Sequence, residues 1–150
     1  MKSKAIILDI DGVCLQTDFI LDEILKLGLK GEDKWDYFYK NCNSDRVKVI
    51  EETRKLIFLC GDVYFPIYVI ISTARNEKYR EATKTKLDNS LIFPSRMYMR
   101  SEHDLRPACE VKREHLIEIM KEFDVIAFID DDLQNCEMAK DLGVLALRRV

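Results

Sequence analysis

The sequence has few residues that interrupt regular structure. It contains five Gly and three Pro among 150 residues, with no segment rich in Gly, Pro or Ser, no repeat and no low-complexity tract. Such a composition is typical of a soluble globular protein rather than of a disordered chain. The length predicts one domain, residues 1–150, with a core of its own.

Long hydrophobic runs and paired cysteines are also missing. No apolar run approaches the ~20 residues that span a bilayer, and the N-terminal apolar stretch ends at Leu8. That stretch is too short for a signal peptide, so we expect a first strand in a cytoplasmic protein without membrane association. The five cysteines form no CxxC pair, which favours reduced thiols over disulfides or a zinc site.

The chain has no strong charge of one sign, since its net charge is −3. The distribution is uneven, because residues 75–113 contain ten Lys/Arg against six Asp/Glu. A locally basic stretch in an acidic protein either attracts an anionic substrate or forms a solvated helix face. Charge alone leaves both interpretations open.

Short β-branched or apolar runs alternate with amphipathic stretches along the chain. This alternation predicts a three-layer α/β fold, with a parallel sheet between helices and the site beyond the carboxyl ends of the strands. The predicted strands are Lys4–Ile10, Tyr68–Ser72, Arg96–Met99, Val125–Ile129 and Val144–Leu147. The predicted helices are Ser44–Cys60, Asn76–Leu87, Val111–Phe123 and Leu133–Leu142.

Residues 17–43 do not fit this alternation. They contain one short predicted helix, Phe19–Leu27, a Gly-Leu-Lys-Gly break and the aromatic cluster Trp35, Tyr37, Phe38 and Tyr39. An insertion at this place predicts a small cap after the first strand. Its aromatic side chains either pin the cap to the core or stack on a nucleobase.

Four polar features stand at or near the predicted strand ends. They are Asp9 and Asp11 in LDIDGV, Ser72 and Thr73 in VIISTAR, Lys112 in EVKREHL, and Asp130 to Asp132 in AFIDDD. A calcium loop is excluded because the residues after Gly12 lack the further oxygen ligands and the closing Glu.

Taken together, these residues predict phosphoryl transfer to a carboxylate. Asp9 is the candidate nucleophile, because a carboxylate can form an acyl phosphate and divide hydrolysis into two steps. Asp11 is the candidate general acid and base, while Thr73 and Lys112 can contact phosphate oxygens. Hard oxygen ligands favour Mg²⁺. The predicted Mg²⁺ ligands are Asp9, Asp11 through its backbone carbonyl, Asp130 and Asp131.

In order and spacing, DIDGV, STAR, the later Lys and IDDD resemble the four motifs of the haloacid-dehalogenase superfamily. This resemblance covers nearly the whole chain and implies a Rossmann-like sheet and a phosphatase. A response-regulator receiver uses similar residues, but there the acidic pair comes first and the phosphorylated Asp lies mid-chain. The order found here favours the haloacid-dehalogenase type.

The stretch MYMRSEHDLRPACEVKREHL and the following IDDDLQNCEMAKDLGV are similar to the phosphatase domain of phage-type polynucleotide kinase-phosphatases. That resemblance implies a 3′-phosphatase acting on nucleic-acid ends or nucleotides. It also implies that Arg75, Arg100 and Arg106 are candidates for contacting substrate, as guanidinium groups suit phosphate. A surface or salt-bridged role remains the alternative for each arginine.

Several positions depart from this pattern. No GxxxxGK[ST] is present, so the chain carries no kinase half, and Ala74 stands where the motif often has Gly. Either Ser72 or Thr73 could donate to phosphate, and we favour Thr73 for its spacing to Arg75. Asp132 replaces a basic residue of the phage enzymes and is a candidate helix cap.

The sequence therefore predicts a magnesium-dependent phosphomonoesterase. Its expected substrate is a phosphorylated nucleotide or nucleic-acid 3′ end, and no obligate protein partner is inferred. A 5′-(deoxy)nucleotidase or another small-molecule phosphatase of this type is the alternative enzyme. The non-enzymatic alternative is a module that binds nucleic-acid ends without turnover. His103 and His115 are not expected to act directly, because the motif acids already transfer protons.

Overall fold

A computed structural model describes all residues, 1–150, and contains one five-stranded sheet in which every neighbouring pair is parallel. The strand order is β3-β2-β1-β4-β5. The strands are β1 (Ser3–Leu8), β2 (Tyr68–Asn76), β3 (Arg96–Arg100), β4 (Phe123–Asp130) and β5 (Ala146–Arg148). All five predicted strands are present, and the predicted fold class is confirmed.

Helices cover both faces of the sheet. Side chains alternate across a strand, so Ala5 and Ile7 of β1 pack into one apolar cluster while Ile6 and Leu8 pack into the other. Burial on both faces explains the nearly continuous apolar strand sequences. The helices are α1 (Asp18–Leu27), α2 (Gly31–Asn41), α3 (Glu51–Leu59), α4 (Arg80–Asn89), α5 (Ala108–Glu122) and α6 (Leu133–Asp141), with a 3₁₀ turn at Glu77–Tyr79.

Two predicted boundaries were wrong. The helix predicted over Ser44–Cys60 begins only at Glu51, because the preceding residues pair with the loop after β1 through Leu15 and Val49. Strand β2 continues to Asn76, four residues beyond its predicted end, so STAR belongs to the strand. The predicted helix from Asn76 accordingly starts as the 3₁₀ turn and becomes α-helical at Arg80.

The chain reverses its direction across the sheet between β1 and β4. From β1 it proceeds to β2 and β3 on one side, and then returns to β4 and β5 on the other. The carboxyl ends of adjacent strands diverge at such a switch point, which opens a crevice for ligands. Asp9 follows β1, and its N–H donates to the Ile129 carbonyl at 3.0 Å, so the ends of β1 and β4 meet at this crevice. No helix has both the length and the apolar character that a membrane span requires.

Candidate active site

Three charged side chains are buried together where β1 and β4 end. The Lys112 ammonium group lies 2.9 Å from an Asp9 carboxylate oxygen and 2.6 Å from one of Asp130. Lys112 projects from α5 and is 2% exposed, and Asp130 is fully buried. The two carboxylates raise the pKa of Lys112 despite the opposing effect of burial, so this lysine stays charged.

Asp130 and Asp131 have different surroundings. One Asp130 oxygen bonds Lys112, while the other accepts from the Asp132 N–H at 2.9 Å and the Asn135 amide at 3.1 Å. Asp130 is thus held by protein donors, whereas Asp131 lines the crevice. Asp132 caps α6, as predicted, by accepting from the Gln134 N–H at 2.7 Å.

Asp9, Asp130 and Asp131 form a cluster suited to a cation. One oxygen from each can be chosen so that all three lie within 4.8 Å of one another. Burial raises the pKa of Asp9 to about 8, with Lys112 opposing this and Asp130 adding to it. Burial and the charge of Asp130 raise the pKa of Asp131 to about 6. Because crowded carboxylates disfavour ionisation, a hard divalent cation with oxygen preference fits these residues.

Gly12 allows the loop after β1 to approach this cluster closely. Its φ is +77°, a conformation that favours glycine, and a β-carbon there would overlap the Asp131 carboxylate. The residue that the turn approaches at Gly12 is therefore Asp131. Any side chain at position 12 would displace Asp131 from the crevice.

Asp11 is held by Arg75. The Arg75 Nε–H donates to one Asp11 oxygen at 3.0 Å and an Nη–H donates to the other at 2.7 Å. The side chain of Asp11 is 26% exposed and that of Arg75 is 1% exposed. A two-point contact of this kind fixes the plane of the carboxylate.

The remaining N–H groups of Arg75 also have protein acceptors. They reach the side chains of Asn43 (2.7 Å) and Thr83 (3.4 Å) and the Cys42 carbonyl (3.4 Å). Arginine has five N–H donors, and all five are engaged. Contact of Arg75 with substrate remains a prediction, while the observed geometry is that of a residue positioning Asp11.

Ser72 and Thr73 point to opposite faces of β2. Thr73 lines the crevice, and its hydroxyl accepts from the Arg75 N–H at 3.1 Å, so the hydroxyl proton is available to a ligand. Ser72 faces α5 and lies 2.9 Å from His115 Nδ1. His115 Nε2 lies 3.1 Å from the Met99 carbonyl, so Nε2 carries the proton and Ser72 donates to Nδ1. This places Thr73, and not Ser72, towards the crevice.

Arg100 and Arg106 both line the crevice but have different partners. Arg100 donates to three backbone carbonyls, those of Ala74, Asp104 and Arg106. Arg106 forms ion pairs with Asp104 and Glu114. Arg100 therefore connects the end of β3 to the following loop, and no carboxylate forms an ion pair with it. Arg106, in contrast, is already in ion pairs.

The crevice is a cavity of about 1200 Å³. Asp9, Asp11, Thr73 and Lys112 form part of its lining, and residues of α1 and α2 form another part. The aromatic members are Trp35, Phe38, Tyr39 and Tyr79. The Tyr39 ring stacks on Tyr79 at 4.0 Å, and the Tyr39 hydroxyl accepts from the Asn76 N–H at 2.8 Å.

Sequence reasoning missed four residues around this site: Asn43, His115 as a partner of Ser72, Asn135 and Arg148. Asn135 follows Asp130 by five residues, the distance at which the first turn of a helix can reach back to the end of the preceding strand. Nothing local distinguishes Asn43, whose partner Arg75 is 32 positions away.

No protein-family model matches the chain, and no curated protein matches it. Among solved structures, a chain of the Pnkp1/Rnl/Hen1 RNA repair complex has a TM-score of 0.77 and 19% identity. The alignment covers 99% of this chain and 42% of that one. The chain thus spans less than half of the length of that neighbour.

Smaller neighbours have the same fold. A haloacid dehalogenase-like hydrolase from Streptococcus pneumoniae has a TM-score of 0.66 and 13% identity, with coverage of 97% of this chain and 84% of that chain. The class C acid phosphatase from Bacillus anthracis has a TM-score of 0.66 and 16% identity, with coverage of 95% and 62%. The chain therefore has the Rossmann-like fold of haloacid-dehalogenase-like hydrolases, and the predicted resemblance is confirmed in fold.

Proposed function

We propose that this chain is a magnesium-dependent phosphomonoesterase that forms an aspartyl-phosphate on Asp9. The observation that carries the proposal is the position of Asp9, which lines the cavity beside Lys112, Asp131 and the Arg75-held Asp11. Candidates for a nucleophile, a charge-compensating lysine, a cation cluster and an acid-base group thus lie together near the ends of β1 and β4. These are the components that stepwise phosphate hydrolysis requires.

In the first step an Asp9 carboxylate oxygen attacks phosphorus, forming a P–O bond while the bond to the leaving oxygen breaks. Asp11 gives its proton to that leaving oxygen. In the second step Asp11 takes a proton from water, the water oxygen attacks phosphorus, and the bond to Asp9 breaks to release inorganic phosphate. Thr73 and Lys112 hold phosphate oxygens, and the charge of Lys112 favours the ionised form of Asp9.

The Arg75 contact orients the proposed acid-base group. A carboxylate bonded to a guanidinium through both oxygens is held in one plane. Each carboxylate oxygen has a second lone pair, so Asp11 can give and take a proton while both contacts with Arg75 are kept.

Asp9, Asp130, Asp131 and the Asp11 carbonyl would hold the Mg²⁺. When bound, the ion offsets negative charge between Asp9 and the incoming phosphate. Lys112 and Asn135 also donate to Asp130, so these two residues fix the position of its carboxylate.

The proposed substrate is a 3′-phosphate on a nucleic-acid end or nucleotide. The cavity of about 1200 Å³ accommodates a nucleotide, and α1 and α2 would form a small cap over it. Two further supports are the similarity of residues 97–116 to phage-type enzymes and the shared fold with a chain of an RNA repair complex.

A 5′-(deoxy)nucleotidase is the second candidate, favoured by the aromatic members of the cavity wall. Trp35 is 50% exposed and lies beside Tyr39 and Phe38 on the proposed cap. Aromatic faces stack on bases without regard to sequence. A base held against this wall would place a mononucleotide across the cavity.

The deciding experiment measures phosphate release with Mg²⁺ from two substrates, a 3′-phosphorylated oligonucleotide and a 5′-nucleoside monophosphate. The variant Asp9→Asn removes the nucleophile, and Asp22→Asn on the exposed surface of α1 is the matched control. We expect release from the oligonucleotide by wild type and Asp22→Asn, and none above background by Asp9→Asn.

Preference for the mononucleotide would transfer the assignment to the nucleotidases. Equal background release by wild type and Asp9→Asn on both substrates would refute the enzyme and leave the module that binds nucleic-acid ends. A trapped phosphoprotein that resists both alkali and hydroxylamine would contradict Asp9 as the attachment site, because these nucleophiles cleave an acyl phosphate.

A further inference from the structure

The positive charges around the cavity are unequally neutralised. Six cationic side chains line it, and three of them form ion pairs: Arg75 with Asp11, Arg106 with Asp104, and Lys112 with Asp9. The three without a carboxylate partner within ion-pair distance are Lys78, Arg100 and Arg148. Of these, Arg148 lies on the side of the sheet away from Arg100.

Arg148 is held in place by the end of the sheet. Strand β5 pairs it with Asp130, and the next residue, Arg149, donates its N–H to the Asp130 carbonyl at 2.9 Å. The Arg148 Nε–H donates to the Asp131 carbonyl at 3.0 Å. Its two Nη groups make no hydrogen bond. Arg148 therefore has four N–H donors without acceptors, on a side chain that its Nε–H contact holds beside the cation cluster.

The part of the cavity lining that comes from the proposed cap is acidic. Asp18 lies in the first turn of α1, Glu32 and Asp36 lie on α2, and all three line the cavity. None of the three forms an ion pair. A polyanionic strand is repelled by these carboxylates, so the Nη groups of Arg148, which no carboxylate pairs, are the more favourable contact for it.

The distance from Asp9 to this edge fits a neighbouring phosphate. Strand β4 separates β1 from β5, which gives a lateral spacing of roughly 10 Å between the two strand ends. The Arg148 side chain extends from this edge into the cavity lining. Asp132 also lines the cavity, but its carboxylate is engaged as the α6 cap.

We propose that Arg148 binds the phosphodiester next to the terminal phosphate, and so confers a preference for a nucleic-acid strand over a mononucleotide. This inference rests on the proposed phosphatase function and defines its substrate as a polymer end. The planar guanidinium with four free N–H groups is suited to a phosphodiester.

The test compares kcat/KM for a 3′-phosphorylated trinucleotide with that for a nucleoside 3′-monophosphate of the same terminal base. Arg148→Ala is compared with Arg113→Ala, an exposed arginine on α5 outside this cavity and without an ion-pair partner. We expect the trinucleotide preference to fall about tenfold in Arg148→Ala, since one charged hydrogen-bonded contact is lost. It should not change in Arg113→Ala.

Binding of the same trinucleotide to the Asp9→Asn protein, measured by fluorescence anisotropy against salt, gives a readout independent of turnover. Adding Arg148→Ala should weaken binding about tenfold and reduce the salt slope by roughly 0.7, the value for one phosphate contact on a single strand. Adding Arg113→Ala should change neither.

An unchanged trinucleotide preference together with an unchanged salt slope would overturn the role of Arg148. An equal fall of kcat/KM on both substrates would also overturn it, because that pattern indicates a disturbed cation cluster. Absence of turnover in wild type would instead count against the phosphatase, and the anisotropy comparison would still decide whether Arg148 contacts the strand.

Discussion

Lys112 combines full burial with a permanent charge. Its ammonium group lies between the carboxylates of Asp9 and Asp130, which share that charge. Removing it leaves two buried carboxylates without compensation, a situation that costs several kcal/mol. The same residue that pairs with Asp9 therefore also stabilises the fold.

We expect Lys112→Met to lower the free energy of unfolding by about 3–5 kcal/mol without Mg²⁺ and to abolish phosphate release. Urea unfolding with and without the metal measures this. The matched control is Lys121→Met, which removes an exposed i,i+3 pair with Glu118 and should cost less than about 1 kcal/mol. Similar losses in the two variants would contradict the role assigned to Lys112.

His115 predicts a pH dependence of stability. Burial lowers its pKa to about 4, whereas in the unfolded chain it is about 6.5. Between these two pH values the proton binds His115 in the unfolded chain but not in the folded protein. The contribution of His115 to the free energy of unfolding is therefore complete above pH 6.5 and is lost as the pH falls towards 4. The loss amounts to about 3 kcal/mol.

This prediction is checked by urea unfolding of wild type and His115→Gln from pH 7 to pH 4. The wild type should lose more stability over that range, and the difference between the two proteins isolates this one side chain from the carboxylates that titrate nearby. Parallel curves would show that His115 is protonated in the folded protein.

At the scale of elements, the sheet was predictable because its signal is local. Buried parallel strands have continuous apolar sequences, and those around Ile7, Ile70 and Phe128 are all recognisable. The parallel topology then implies that polar residues following these strands meet at one edge. That reasoning located Asp9, Thr73 and Asp130 without coordinates.

Elements whose form depends on distant contacts were not predictable. The helical pattern from Ser44 is overridden because Val49 bridges to Leu15 and the Ile50 N–H donates to the Cys14 carbonyl. Helix α2 was missed because its sequence reads as an aromatic cluster. Only Phe38 of that helix is buried, so an amphipathic pattern is weak.

The Tyr39 side chain joins helix α2 to β2 and the 3₁₀ turn. Tyr39 stacks on Tyr79 and accepts from the Asn76 N–H. We expect Tyr39→Ala to raise amide exchange in α2 about tenfold or more, because an aromatic pair and a hydrogen bond are lost. Amides of β1 should not change.

Hydrogen–deuterium exchange with mass spectrometry measures this difference. Tyr64→Ala, at a side chain that is 85% exposed, is the control and should leave α2 unchanged. Faster exchange throughout the sheet of Tyr39→Ala would show that α2 is not an independently opening unit.

For the whole molecule, the proposed cation site predicts a coupling between Mg²⁺ and stability. A ligand that binds only the folded state at a concentration a hundred times its Kd adds about 2.7 kcal/mol. For a chain of this size, that raises Tm by roughly 5–10 °C. Asp131→Asn should abolish most of the rise, and Asp22→Asn should retain it, as measured by calorimetry. An equal rise in all three proteins would place the ion elsewhere.

The arrangement of the site across the whole chain could be predicted only in part. The order of the motifs indicated which residues lie together at the site, but not which contacts each of them makes there. Arg75 gathers groups from positions 11, 42, 43 and 83, and Asp130 contacts Lys112 and Asn135. Such choices depend on three-dimensional distances between segments that have no sequence relation.

The Arg75 contacts also define which residues near the proposed cap are tied to Asp11. Cys42 and Asn43 follow α2 in the chain, yet they share Arg75 with Asp11. Residues 18–41 make no hydrogen bond to Asp9, Asp11 or Arg75, but Ile20, Ile24 and Phe38 are part of the larger apolar cluster. A graft that replaces 18–41 would therefore have to keep these three apolar positions together with 42–43, and it would then alter the cavity lining while the contact between Asp11 and Arg75 is retained.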